Sequence, residues 1–448
     1  MKKTGILAIL ITLALVTPCL PEAGWVPLFD GKSLDGWKAS ENPGSFRIED
    51  GAIVCSGPRA HLFFTGGDGE ASFRNFEFKA KVKTSPGSNS GIYFHTRFQD
   101  SGWPSAGYEA QVLNSARSAA GIDPERKMTG SLYAVRNVWN PPAVDNEWFD
   151  YNIQVQGKTI RIFINGVMTV DYTEPDNPPR ARDQEGRILS AGTFALQCHD
   201  PGSTVYFRDL QVRELEDGLS SPGSPPADRE LDRRLTELGW NNFPLVDYHV
   251  HLKGNLTTAD LLAQAREYGF TYGIAFNCGL KNPLPDEKSV RDFLSSYQRI
   301  PGTYLAMQAE GREWMDLFTR ESIERFDYVI TDSMTVTDFH GRRMRLWIKE
   351  ETEVGDPEEF MEMLVSRIEK IMSHESLDIY VNPTFLPAEL QDRYDELWTE
   401  PRMNRVVRAL ADNGIAMEIN AVRRIPSLAF IHRAKEEGVR FTFGTNNT

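Results

Sequence analysis

The sequence predicts two folded units: an all-β two-sheet sandwich or jelly roll, then an α/β barrel of seven parallel strands, (β/α)7 in type. Three observations carry this. Between residues 25 and 215, short alternating apolar runs follow one another with turn pairs between them and no helix of any length. Residues 216–228, EDGLSSPGSPPAD, read as a Ser/Pro/Gly linker. Over residues 229–448 the period changes, and strand-like runs alternate with helical ones.

Taken in order, residues 1–23 read as a secretory signal peptide. Lys2 and Lys3 precede an apolar run over residues 6–16 that is too short to span a bilayer, and cleavage is expected between Cys19 and Gly24. The expected location is therefore secreted or periplasmic, with no membrane contact after cleavage; Pro18 makes Cys19 a poor lipidation site. The chain has 448 residues, 40% apolar and 25% charged, enough for two or three domains. Its net charge of −14, with no basic block, argues against nucleic acid or an anionic membrane as partner. Beyond the signal lie Cys55, Cys198 and Cys278, an odd and small set that makes no disulfide framework. Cys198 alternates with Phe194 and Leu196, so it is expected as a buried thiol.

In the first unit, residues 24–215, strands are expected at 46–48, 52–55, 76–83, 91–98, 108–113, 151–156, 159–164, 193–198 and 205–212. Asp50-Gly51, Pro86-Gly87, Asn165-Gly166 and Pro201-Gly202 supply turns between them. In the second unit, strands are expected at 245–251, 272–277, 304–309, 328–331, 379–382, 416–420 and 440–443. Thr257 and Asp260 cap a helix ending at Gly269, and further helical patterns cover 289–300, 358–372 and 403–414.

Strand alternation singles out a polar face. In SGIYFHTRF (90–98), Ile92, Phe94, Thr96 and Phe98 fall on one side, and Tyr93, His95 and Arg97 on the other. YEAQVLN sets Glu109 and Gln111 opposite Tyr108, Ala110 and Val112, and TFALQCHD sets Gln197 and His199 opposite Phe194, Leu196 and Cys198. On one sheet these strands would gather His95, Arg97, Glu109, Gln111, Gln197 and His199 into one patch. An ordinary solvated face would carry Lys, Ser and Thr, so a binding or catalytic surface is expected.

Several segments resemble the 3-keto-disaccharide hydrolase family: LFDGKSLDGW (28–37), GSNSGIYFHTRF (87–98), GYEAQV (107–112), TGSLYAV (129–135), FALQCHD (194–200) and VYFRDLQVREL (205–215). The resemblance covers nearly all of residues 25–215. It implies a concanavalin-like jelly roll and an oxidised oligosaccharide or glycoside as substrate. An ordinary glycosidase needs two carboxylates flanking the bond; the face supplies only Glu109, with Asp100 and Asp123 as loop candidates. A 3-keto sugar offers another route, in which its carbonyl acidifies the C2 hydrogen, a base removes it, and the C1 glycosidic oxygen leaves. A base that titrates near neutrality suits this, so His199 is expected first and His95 second. Glu109 would orient the histidine or bind a divalent ion, and Arg97 would polarise the carbonyl. Gln111 and Gln197 would hold substrate, and Trp103, Trp139 and Tyr133 would stack on sugar rings. The competing expectation is a carbohydrate-binding module attached to the barrel, which needs aromatics and amides but no paired histidines.

In the second unit, VDYHVHLKG (246–254) places His249 and His251 at the end of the first barrel strand. This resembles metal-dependent hydrolases of the polymerase-and-histidinol-phosphatase and amidohydrolase types, and MQAEGREW (307–314) puts Glu310 where such barrels have a ligating glutamate. The resemblance implies one divalent ion (zinc, manganese or iron) held by His249, His251 and Glu310. Asp332 and Glu418 lie at or near later strand ends. Where a final Asp-x-His would stand, the sequence reads GTNN, and His340, His374 and His432 do not complete a cluster. A degenerate barrel used for packing or sugar binding is the alternative.

Overall fold

The computed structural model describes residues 24–117, 124–217, 223–338 and 340–447. The expected signal peptide and the candidate Asp123 lie outside the described residues. The first unit is a sandwich of two antiparallel sheets. One runs in the spatial order Val167–Thr173, Thr159–Ile164, Phe149–Gln156, Phe76–Thr84, Thr204–Glu214, Ala52–Ser56, Phe46–Glu49, with Val26–Pro27 also on Thr204–Glu214. The other runs Trp37–Ala39, Ala60–Phe64, Thr193–Cys198, Ser90–Thr96, Tyr108–Val112. All nine expected strands of this unit form, within two residues at each end. Trp37–Ala39 and Ala60–Phe64 were not expected, since AHLFF has no clean alternation to mark it.

The two sheets differ in burial, and that difference positions the site. In Phe76–Thr84 buried and half-buried residues alternate, so one face packs on the core and the other meets solvent. Ser90–Thr96, Tyr108–Val112 and Thr193–Cys198 are buried at every position. Their inner faces pack Ile92, Phe94, Tyr108, Ala110, Phe194 and Leu196 into the core. Their outer faces lie beneath loops rather than in water. Cys55, Cys198 and Cys278 are free and buried, as expected of small core residues.

The second unit is a closed barrel of seven strands, Val246–Val250, Thr271–Cys278, Tyr304–Ala309, Tyr328–Thr331, Ile379–Tyr380, Ala416–Asn420 and Phe441–Gly444, each parallel to its neighbours. Helices occur in the segments between the strands, among them Thr258–Tyr268, Glu287–Ser296, Pro357–His374, Glu400–Asp412 and Leu428–Glu436. The Thr258–Tyr268 helix starts on the expected capping box, with Asp260 N donating to Thr257 Oγ1 and Thr257 N to Asp260 Oδ2, and stops at left-handed Gly269. Among the described residues no helix is long and apolar enough to cross a membrane.

The turn at residues 134–140 of the sandwich docks the barrel. Arg136 Nε donates to Glu267 O at 2.6 Å, Asn140 Nδ2 to Thr303 O at 2.9 Å, and Tyr304 OH to Trp139 O at 3.2 Å. Trp139 Nε1 donates to Gly269 O at 2.9 Å, and the ring is buried in this junction. Trp139 is therefore a docking residue, and the expectation that it stacks on a sugar is corrected.

Candidate functional site

A pocket of about 410 Å3 lies on the outer face of the five-stranded sheet, within the about 300–1,000 Å3 usual for small-molecule sites. Its walls include Tyr93, Glu109, Gln111, Gln197, His199, Trp103 and Tyr133. Strand pairing explains the convergence: Tyr93 stands opposite Glu109, Gly91 opposite Gln111, and Tyr93 opposite Ala195 on the next strand. Gly91 is needed here. A Cβ at that position would sit 2.6 Å from Glu109 Oε1, so glycine leaves the room the carboxylate occupies. Of the six residues expected in the patch, Glu109, Gln111, Gln197 and His199 line it.

His95 and Arg97 do not, and the cause is local. The chain bulges at His95, whose φ is 55°: Thr96 pairs with Thr193, yet Tyr93 pairs with Ala195. One extra residue on this strand flips everything beyond it to the opposite face. His95 turns away, its Nε2 donating to Arg74 O at 2.9 Å and its Nδ1 accepting from Ser190 N at 3.2 Å, with Phe76 and Phe94 against the ring. Burial pushes its pKa down to about 4, so it is held neutral. Arg97 is exposed beyond the strand end, and Phe98 joins Phe63 and Tyr93 instead of the core.

The cation expected of Arg97 comes from Arg187, in an irregular loop. Its Nη2 donates to Glu109 Oε2 at 3.2 Å and its guanidinium lies 5.1 Å from the centre of the Tyr133 ring. Glu109 Oε1 accepts from Gln197 Nε2 at 2.9 Å. Glu109 is thus tied to Arg187 and Gln197, and it is not the orienting partner of His199. That partner is Asp200: His199 Nδ1 donates to Asp200 Oδ2 at 3.0 Å. The Pro201-Gly202 turn fixes the carboxylate through Gly202 N and Ser203 Oγ, both at 2.8 Å. Burial works against the ionised Asp200, but hydrogen bonds from Ser203, His199 and Gly202 outweigh it and hold its pKa below the usual value. With Nδ1 committed, Nε2 is the basic nitrogen of His199, and the Trp103 ring lies 5.1 Å away against the imidazole.

Three atoms among the pocket residues are buried without a protein partner: Gln111 Oε1, Gln197 Oε1 and Arg187 Nη1. Buried polar atoms are rarely left unpaired, so these point to a ligand rich in hydroxyl or carbonyl groups. Asp100 is exposed and does not line the pocket; Asp183 does, from the same loop as Arg187. Arg187 and Asp183 escaped sequence reading because residues 178–190 have no periodicity to place them.

A second pocket, of about 470 Å3, lies at the barrel mouth. His249 and His251 share a face as expected, and their Nε2 atoms approach to 3.3 Å. Glu310 does not join them. The Gln308 amide stands between, its Oε1 at 3.0 Å from His249 Nε2 and its Nε2 donating to Glu310 Oε1 at 2.9 Å. Burial, with Asp332 nearby, pushes Glu310 up to about 8. Among the described residues no three His, Cys, Asp or Glu side chains are grouped to hold a metal ion. The expected ligand set of His249, His251 and Glu310 therefore does not fit one ion in this arrangement. His249 instead forms a buried ion pair with Glu418, Nδ1 to Oε1 at 2.7 Å.

Residues 24–213 match the model of a protein family described as a 3-keto-alpha-glucoside-1,2-lyase-like domain. A curated relative, a 3-keto-disaccharide hydrolase of Bacteroides thetaiotaomicron, is 35% identical over 78 residues, 16% of this chain and 27% of that protein. The match thus spans about a quarter of the relative's length. Among solved structures, one from Parabacteroides distasonis, provisionally assigned as a glycosyl hydrolase, is 21% identical, covering 43% of this chain and 94% of that one, with a TM-score of 0.36. A histidinol phosphate phosphatase from Lactococcus lactis is 14% identical, covering 45% and 85%, with a TM-score of 0.31. The carbohydrate-binding module CBM66 from Bacillus subtilis is 12% identical, covering 40% and 96%, with a TM-score of 0.28.

Proposed function

We propose that the sandwich pocket cleaves 3-keto glycosides by removing the C2 proton of the oxidised ring. The observation that carries this reading is the Asp200–His199 pair, which leaves a basic imidazole nitrogen at the wall of a pocket where Gln111 Oε1, Gln197 Oε1 and Arg187 Nη1 lack protein partners. His199 Nε2 takes the proton from C2. The electrons pass toward the C3 carbonyl, where Arg187 Nη1 holds the developing enolate oxygen. As the enolate collapses, the C1–O bond breaks and the leaving alcohol takes up a proton. Water then adds at C1 and a proton returns to C2, so the net reaction is hydrolysis. Glu109, fixed by Gln197 and Arg187, keeps the guanidinium in place. Direct glycoside hydrolysis uses two carboxylates free to act; among the described residues lining this pocket, Glu109 is engaged by Gln197 and Arg187.

The test is turnover by the full chain of a 3-keto disaccharide and of its unoxidised parent. Cleavage of the first with negligible action on the second is expected. Equal rates on both would overturn the elimination route.

A further inference from the structure

Two exposed tryptophans line the sandwich pocket, and only one belongs to the sandwich. Trp103 lies against His199, whereas Trp240 is the last residue of the helix Arg229–Trp240, outside the residues that match the family model. We propose that Trp240 is an aromatic platform for a second sugar ring, the leaving group of the disaccharide, so that the barrel half completes the substrate site of the sandwich half. This rests on the reading of the pocket as a 3-keto glycoside site.

The helix is held there by bonds that a loosely tethered linker would not make. Asp232, fully buried, accepts from Arg136 Nη1 and Arg180 Nη1, both at 2.9 Å, and from Tyr172 OH at 3.2 Å. All three partners belong to the sandwich. Charge-assisted bonds of this kind fix position as well as attraction. At the other end, Gly239 lets the helix approach the 134–137 turn: a Cβ there would lie 2.4 Å from Asn137 Nδ2 and 3.1 Å from Ala134 O. Just past the helix, Asn242 Oδ1 accepts from Lys127 Nζ at 3.2 Å and Asn242 Nδ2 donates to Pro124 O at 2.9 Å. Trp240 is thereby fixed on both sides, yet 38% of its surface stays open. An exposed indole lining a pocket suits the apolar face of a pyranose ring. Trp103 and His199 serve the oxidised ring whose glycosidic bond is cleaved, which leaves Trp240, on separate backbone, for the ring beyond the bond.

The experiment compares full-length wild type, Trp240→Ala and Trp240→Phe on a 3-keto disaccharide and on methyl 3-ketoglucoside, which lacks the second ring. For Trp240→Ala, the KM for the disaccharide should rise roughly three- to tenfold more than that for the methyl glycoside, with kcat little changed. Trp240→Phe should recover most of the loss. An equal effect on both substrates, or none on either, would overturn the platform. If wild type turns over neither substrate, the functional reading fails by itself. Calorimetric binding of the unoxidised disaccharide then decides the platform: weaker binding by Trp240→Ala supports it, and equal binding or no binding by wild type overturns it.

Discussion

Replacing His199 by alanine is expected to lower kcat on a 3-keto disaccharide by about two to four powers of ten, the usual cost of losing a general base. The fold should be unaffected. His199 follows the strand Thr193–Cys198, keeps about a third of its side chain exposed, and contributes nothing to the hydrophobic core. Its one hydrogen-bonding partner among the described residues, Asp200, keeps its contacts to Gly202 and Ser203 without it. The melting temperature should therefore stay near that of wild type while turnover collapses. Activity close to wild type would transfer the base to a carboxylate of the pocket wall, Glu109 first. His95 is not available for the role, since both its ring nitrogens are engaged on the far side of the bulge.

The second large effect concerns stability. His249 and Glu418 are both buried, with side chains 0% and 1% exposed, and they neutralise each other inside the barrel. Replacing His249 by alanine removes the counter-charge of Glu418, which keeps only the hydrogen bonds from Asn382 N and Asn420 Nδ2, and breaking a buried pair in this way costs about 3–5 kcal/mol. Denaturant unfolding measures that loss directly, and a change within the error of wild type would contradict the pairing. The pair also sets a pH signature. Burial works against charged His249, but Glu418 and the hydrogen bonds to Glu418 and Gln308 raise its pKa above the usual 6.5. Burial likewise opposes charged Glu418, and His249 outweighs it to lower the pKa below the usual 4.5. The histidine's contribution is full below pH 6.5 and is lost as pH rises through its folded value. The glutamate's is full above pH 4.5 and is lost as pH falls through its folded value. The difference in stability between wild type and His249→Ala should thus be greatest between pH 4.5 and 6.5 and shrink on either side.

Where the sequence was legible, a period made it so. Nine sandwich strands and seven barrel strands showed themselves by alternation, turn pairs and the capping box at Thr257 and Asp260. Glu109, Gln111, Gln197 and His199 were placed on one face by the same alternation. That rule failed at His95, because a bulge leaves no mark in the order of residues yet reverses every side chain after it. Arg187 was hidden for a different reason: an aperiodic loop carries it, and only tertiary packing brings it to Glu109. Asp200 stood beside His199 in plain view, but its role depends on the turn that fixes its carboxylate. In the barrel, the His-x-His spacing correctly brought two imidazoles together. Nothing in the spacing announced that Gln308 would separate them from Glu310.

The most direct test of proton removal at C2 is the fate of that hydrogen during turnover in deuterium oxide. A 3-keto disaccharide is cleaved by the full chain, the reaction is stopped early, and deuterium at C2 of the oxidised product is measured. Exchange by the isolated product under the same conditions is subtracted. One deuterium at C2 per turnover is the predicted result, absent with His199→Ala. Product released at wild-type rate with its original C2 hydrogen in place would contradict the account.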